Sequence, residues 1–310
     1  MVTPRRVTLN DVAAASGVSR ATAGFVLAND PNQTISAATR DRVHAAAREL
    51  GYVPNGVARA LREGSSRVVV LEIDWVYDGN YARSYIRGLD AELTAHEYTL
   101  LVRHGPSSRK ATEQVLHAIT PRAILRFAEP YISGEDVVDS GGGWRDGLAA
   151  HVALQLQYLV EHGHERIALA LPTAHSPLSD ARQRLTVQHA KALKLPPPQC
   201  LDIPGTREAA AVAVEEFRRQ HPQVTAIAAF NDDVALRAVC ALHDLGLAVP
   251  GDVAVIGFDD NGSGALVTPP ITSLYIDAEV HGRRSARSVL GLDADDLSPN
   301  PGRIVERASV

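Results

Sequence analysis

Residues 7–27 read VTLNDVAAASGVSRATAGFVL, and the polar caps and small residues of this stretch decide the architecture of the N-terminal segment. Thr8 can cap a helix while Asp11, three residues later, reaches back to it, the reciprocal arrangement that satisfies the first free N–H groups. The helix continues through Val12-Ala13-Ala14-Ala15. Ser16-Gly17-Val18 then makes a tight turn, with Gly17 supplying a backbone conformation that other residues resist. Ser19 caps a second helix, from Arg20 to about Leu27. Alanines fall where two helices must cross closely, and the spacing suits a helix-turn-helix that reads the DNA major groove. A third helix, capped by Ser36, carries Val43, Ala47 and Leu50 on one face and stops at Gly51. From these residues alone, a generic three-helix bundle is the competing reading.

Charge agrees with a polyanion-binding N-terminus. Residues 1–66 hold eight arginines against five acids, whereas the 310-residue chain carries a net charge of −5. A basic segment on an acidic body brings only that segment to a nucleic acid. Two arginines precede no apolar stretch, so a signal peptide is not expected, and no run reaches the roughly 18 apolar residues of a membrane span. The expected compartment is the cytoplasm, at the nucleoid when bound to DNA. The two cysteines, Cys200 and Cys240, are read as buried small apolar residues rather than a disulfide.

Beyond Gly64-Ser65-Ser66 the pattern changes. Short β-branched or apolar runs occur at 68–73, 99–102, 123–125, 167–171, 226–229 and 253–256. Helical periods lie between several of them, as in Ala82, Tyr85, Ile86, Leu89 and Leu93, or Val234, Ala238, Val239, Leu242 and Leu245. Such alternation implies parallel sheets covered by helices on both faces. Two lobes are expected, with a ligand crevice at the carboxyl ends of the strands. His164 is read as a helix-terminus residue, since no second metal ligand stands at a suitable spacing. Asp232-Asp233 and Asp259-Asp260 are adjacent pairs whose side chains should point apart into caps and loops. No G-x-S-x-G elbow, phosphate loop, dinucleotide fingerprint or H-E-x-x-H is present, so neither an enzyme nor a cofactor is expected.

VTLNDVAAASGVSRATAGFVLAN (7–29) and ISAATRDRVHAAARELGYVPNGVARALR (35–62) resemble the headpiece of the LacI/GalR family of bacterial repressors. The resemblance implies that residues 1–53 are a DNA-binding headpiece and 54–66 a hinge helix with linker. It makes residues 67–310 a two-lobed effector-binding and dimerisation domain. The implied fold is an all-α helix-turn-helix headpiece on an α/β, periplasmic-binding-protein-like core of two parallel-sheet lobes. Arg20 and Ala21 take the family's base-reading positions; arginine suits guanine and alanine touches only a thymine methyl. Thr8, Ser19 and Thr22 match phosphate-holding positions, and Tyr52 and Asn55 match backbone contacts beside the hinge. Ala58 and Leu61 fall in the minor-groove hinge, where Leu61 matches the leucine that wedges between base pairs. The common TVSRVLN is TAGFVLA here. Gly24 therefore replaces a phosphate-contacting serine, and Phe25 replaces a base-reading arginine. Phe25 either meets a thymine methyl or packs in the core.

In the body, LVEHGHERIALAL (159–171), AAFNDDVALRAVCALHDLGLAVPGDVAVIGFDD (228–260) and LVTPPITSLYIDAEVHGRRSA (266–286) carry the resemblance. Arg184, Asn231 and Asp259 match cleft positions that hold a sugar or purine effector in relatives. Trp75, Tyr77 and Tyr81 follow the first strand, where they either stack on a ligand or pack. The stretch between Phe127 and Ala153 is shorter than in relatives, which alters the first lobe's share of the cleft. The resulting expectation is a homodimeric transcriptional repressor on a pseudo-palindromic double-stranded operator, controlled by a small molecule such as a sugar or nucleobase. The alternative is a two-lobed sugar-binding protein with no DNA role. The tail RIVERASV has no leucine heptad behind it, so a dimer rather than a coil-assembled tetramer is expected.

Overall fold

The computed structural model describes residues 7–28, 33–52, 64–73, 79–104, 109–127, 147–298 and 301–310. The chain forms two compact units, one of residues 1–67 with 109–122 and one of 68–108 with 123–310.

The first unit opens with α1 (Leu9–Ser16), α2 (Arg20–Leu27) and α3 (Ala37–Glu49). Asp11 accepts from both the N–H and the hydroxyl of Thr8 at 2.7 Å, which starts α1 at the expected residue. Gly17 ends it at φ 65°, a left-handed turn that a side chain would strain. The buried residues Val12, Ala13, Ala23, Val26, Val43, Ala46 and Ala47 fill the core between the helices. Four alanines among these seven keep the helices close, and the buried Ser16 returns its hydroxyl to the Val12 carbonyl at 2.7 Å. Leu50 departs from expectation: it lies past the end of α3 and is 38 % exposed, so Ala46 completes the buried face instead. The same unit includes α5 (Arg109–Ile119), after which the Thr120 carbonyl accepts from Ser66 N–H at 2.7 Å.

In the second unit, β1 (Val68–Ile73), β2 (Thr99–His104) and β3 (Ala123–Arg126) form a parallel sheet of order β2-β1-β3. The helix α4 (Asn80–Ala95) follows β1 and buries Ala82, Leu89 and Leu93. A second sheet contains β4 (Ile167–Pro172), β5 (Gln199–Ile203), β6 (Ala226–Ala229), β7 (Ala254–Asp259), β8 (Thr272–Tyr275) and β9 (Arg303–Val305). Its order is β5-β4-β6-β7-β8-β9, and only β9 runs antiparallel. Its helices are α6 (Leu148–Glu161), α7 (Pro177–Ala192), α8 (Arg207–Gln220) and α9 (Asp232–Asp244). Every residue of β6 is buried, as in a strand covered on both faces. After β8 the chain leaves this sheet, lays α10 (Glu279–Leu290) against α4, and returns as β9. Ser309 then ties the sheet together: its hydroxyl donates to Val255 O at 2.6 Å and accepts from Thr272 N–H at 2.8 Å.

Strands β5, β8 and β9 were not anticipated from apolar runs, because β5 and β9 are edges and β8 buries Thr272 and Ser273. The expectation for the cysteines is also corrected. Cys200 is exposed and Cys240 half-buried, since alternation along the edge strand β5 turns Leu201 and Ile203 inward and Cys200 out.

Candidate functional site

The DNA-reading expectation concerns the surface of α2. Ser19 caps the helix by accepting from Thr22 N–H at 3.0 Å, and the two hydroxyls meet at 2.8 Å. Arg20 and Ala21 are exposed in the first turn. Phe25 is one turn beyond Ala21 on the same face and is 38 % exposed, so its ring lies at the surface rather than inside the core. This places a guanidinium, a methyl and an aromatic ring along one side of α2, flanked by the Ser19 and Thr22 hydroxyls. Tyr52 is half-buried against the headpiece core. Asn55, Ala58 and Leu61 lie outside the described residues.

The effector expectation concerns the carboxyl ends of β6 and β7. Asn231 is the N-cap of α9, accepting from Val234 N–H at 2.9 Å. The acids beside it point apart, as expected. Asp232 turns inward and accepts from Phe258 N–H at 3.0 Å, Asn261 N–H at 2.6 Å and the Ser273 hydroxyl at 2.5 Å. Burial raises its carboxyl pKa despite these bonds. Asp233 stays exposed beside Arg237 at 3.2 Å. Asp260 pairs with Arg307 at 2.8 Å. Asp259 sits at φ 90°, a strained conformation for a residue with a side chain, costing about 1–3 kcal/mol. That twist carries its carboxylate to the start of α4, where it accepts from Tyr81 N–H at 2.6 Å. Burial, with help from Asp232, pushes its pKa up to about 7.

Arg184 is exposed on α7, and the arginine aimed at the strand ends is Arg182. Two positions along a helix place side chains about 200° apart, so the two cannot share a direction. Arg182 is 1 % exposed, donates to Gln155 Oε1 at 2.8 Å and to Ala229 O at 3.0 Å, and lies 3.8 Å over the Phe258 ring. Gln155 donates in turn to Ala229 O and Gly257 O at 3.0 Å each. Neither residue stands out in sequence, because a buried polar pair leaves no periodic signal. Tyr81 lies beside Phe127 and Tyr85 at ring distances of 5.7 and 6.5 Å. Trp75 and Tyr77 lie outside the described residues. His164 bonds Thr225 Oγ1 at 3.0 Å just after α6, in keeping with a helix-terminus role. Among the described residues no group of His, Cys, Asp and Glu could hold a metal, and no helix is long and apolar enough to cross a membrane.

Comparison with known proteins follows these two regions. Residues 8–55 match the model described as bacterial regulatory proteins, lacI family, and residues 156–310 match that of a periplasmic binding protein-like domain. The HTH-type transcriptional regulator AscG of Escherichia coli is 28 % identical over 98 % of each chain. The HTH-type transcriptional regulator CelR of Thermobifida fusca is 29 % identical over 91 % of each. In structure the chain is similar to the lac repressor dimer bound to operator and an anti-inducer, with TM-score 0.76, 22 % identity and coverage of 98 % and 99 %. It is also similar to a CelR–cellobiose complex, with TM-score 0.60, 24 % identity and coverage of 98 % and 100 %.

Proposed function

The chain belongs to the lacI family of bacterial regulatory proteins and is a DNA-binding transcriptional regulator; from that premise we propose how its own residues serve the role. The carrying observation is the exposed row of Arg20, Ala21 and Phe25 on the capped helix α2. Arg20 donates to the O6 and N7 edge of guanine, while Ala21 and Phe25 form an apolar pair against a thymine methyl. Thr8, Ser19, Thr22, Tyr52 and Asn55 fix the register on phosphates, and Ala58 and Leu61 enter the minor groove. Residues 1–53 form the reading head, 54–66 the hinge and 67–310 the sensor. The regulator acts in the cytoplasm as a homodimeric repressor on a pseudo-palindromic operator.

The effector is a small polar molecule such as a sugar, taken at the carboxyl ends of β6 and β7 beside Asn231 and Asp259. Trp75 and Tyr81 complete the candidate set carried over from the resemblance; Arg182, held by Gln155, is the arginine at the strand ends, and Arg184, two positions on, faces away from them. Of the paired acids, Asp232, Asp233 and Asp260 are engaged structurally, and no catalytic role is assigned to either pair.

Selection of duplexes from a randomised library by the full chain, with and without sugars and nucleobases, tests this reading. It predicts one enriched, two-fold-related sequence. Arg20→Ala removes preference for that sequence while salt-sensitive binding to random duplex persists. Equal loss on both duplexes would remove Arg20 from base reading.

A further inference from the structure

The N-terminus of α4 is capped from 178 residues away. Its own N-cap position is Gly79, which offers no side chain, and the Tyr81 N–H donates to Asp259 Oδ1 at 2.6 Å. A Cβ on Gly79 would overlap the Asp259 carboxylate, so the missing side chain is what admits the acid. Three bonds flank this contact and join the same two parts of the chain. Asn80 Nδ2 donates to Ile276 O at 2.7 Å, Arg83 to Asn261 O at 3.0 Å, and Ala278 N–H to the Ser84 hydroxyl at 2.9 Å. The first sheet, through α4, is thereby fastened to the end of β7 in the second.

We propose that Asp259 is a proton-linked latch: its carboxyl holds the start of α4, and fastening takes up one proton. The charge environment favours that direction. Asp232 on α9 faces the same carboxyl, and Asp260 follows it with its charge matched by Arg307. Arg83 on α4 is the opposing cation, and the Tyr81 hydroxyl, deep beside Tyr85, stays protonated. Arg182 on α7 is held over Phe258, and His151 on α6, near the same ring, is neutral in this setting. Enclosure, with Asp232, therefore penalises the charged carboxylate more than the Tyr81 and Asn80 N–H groups and Arg83 reward it, consistent with a pKa of about 7. The neutral acid keeps a carbonyl oxygen to accept from Tyr81 and sheds the cost of a half-buried charge. Released, the carboxyl regains water and ionises at its ordinary pKa, so acid fastens the latch and mild base frees it. The device is independent of any ligand, although a ligand engaging Asp259 would share the same carboxyl.

Amide hydrogen exchange of the full chain, corrected for intrinsic rates, reads the latch directly at Tyr81. Protection is expected to fall about tenfold between pH 6 and pH 8.5 in the wild type and to stay flat in Asp259→Asn. Gly79→Ala crowds the carboxylate from the other side. It should lower Tyr81 protection at least tenfold at pH 6 while the Val234 amide, capped by Asn231, is unchanged. A flat wild-type profile, the same fall in Asp259→Asn, or full Tyr81 protection in Gly79→Ala would each overturn the proposal.

Discussion

Gly282 of α10 lies directly against the backbone of Tyr85 in α4: a Cβ there would overlap the Tyr85 carbonyl oxygen and come within 2.6 Å of Leu89 N. Gly88 faces Glu279 in the same way from the other helix. The pair lets two helices touch main chain to main chain, so neither glycine has a flexible neighbour to push aside. Gly282→Ala gains about 1 kcal/mol of helix propensity and loses more through overpacking, typically 1–3 kcal/mol or beyond. The expected outcome is a lower urea midpoint with an unchanged m-value; a raised midpoint would show that the helices separate freely.

Gly24 behaves oppositely. A Cβ at this position in α2 meets only Leu9 Cδ2 at 3.5 Å, an ordinary contact. Gly24→Ala should stabilise the headpiece by about 0.5–1 kcal/mol, since a mid-helix glycine costs roughly that much. Thermal unfolding monitored at the headpiece checks the sign.

Phe25 makes a prediction about DNA chemistry. If its ring meets a thymine methyl, replacing that thymine by deoxyuridine in the selected duplex removes the contact and nothing else. Affinity should drop about three- to tenfold for the wild type and hardly at all for Phe25→Ala, the scale of a single apolar base contact. Indifference of the wild type to uracil at every position of the site would return Phe25 to a packing role.

Glu92, with a side chain 8 % exposed, receives Arg287 at 2.6 Å and Arg283 at 3.2 Å. Burial alone would raise its carboxyl pKa, but the two guanidinium groups outweigh it and hold the carboxyl below the usual glutamate range. A depressed folded value means that the stabilisation is complete above the unfolded pKa and is lost as pH falls through the folded one. Arg287→Ala should lower stability near neutrality, because it strips a partner from a nearly buried charge. The penalty should shrink once Glu92 is protonated in acid, which paired denaturation curves at pH 7 and pH 3.5 would reveal.

His151 adds a second acid weakness. Burial first, then the neighbouring His281 and Arg182, depress its pKa to about 3. Its neutral form contributes stability above the ordinary histidine pKa, and that contribution drains away between pH 6.5 and about 3. His151→Gln should flatten the loss of stability over this window, whereas an unaltered slope would point to other groups.

The headpiece was legible almost residue by residue because its signals are local. Thr8 with Asp11, Gly17, Ser19 and Ser36 each act within four residues of themselves. The parallel strands also announced themselves wherever both faces are covered, as in 167–171 and 226–229. Legibility failed where a role is set by distant chain. Nothing near Cys200 says that it lies on an edge, and nothing near Gly79 says that an aspartate 180 positions later will occupy its missing side chain. Arg182 and Arg184 sit two positions apart on α7, and helical phase decides which one faces the strand ends.

The strand at 303–305 and Ser309, which stitches Val255 to Thr272, have a consequence for the order of assembly. Helix α10, the partner of α4, is made only after five of the six strands of the second sheet. On the ribosome the headpiece can fold while the rest is still being synthesised. Both sheets of the sensor, however, wait for segments from the last tenth of the chain. Until residues 279–309 emerge, α4 exposes the face that α10 will cover and β8 has an open edge. The three N-terminal helices can thus be complete while both sheets still lack the segments that close them.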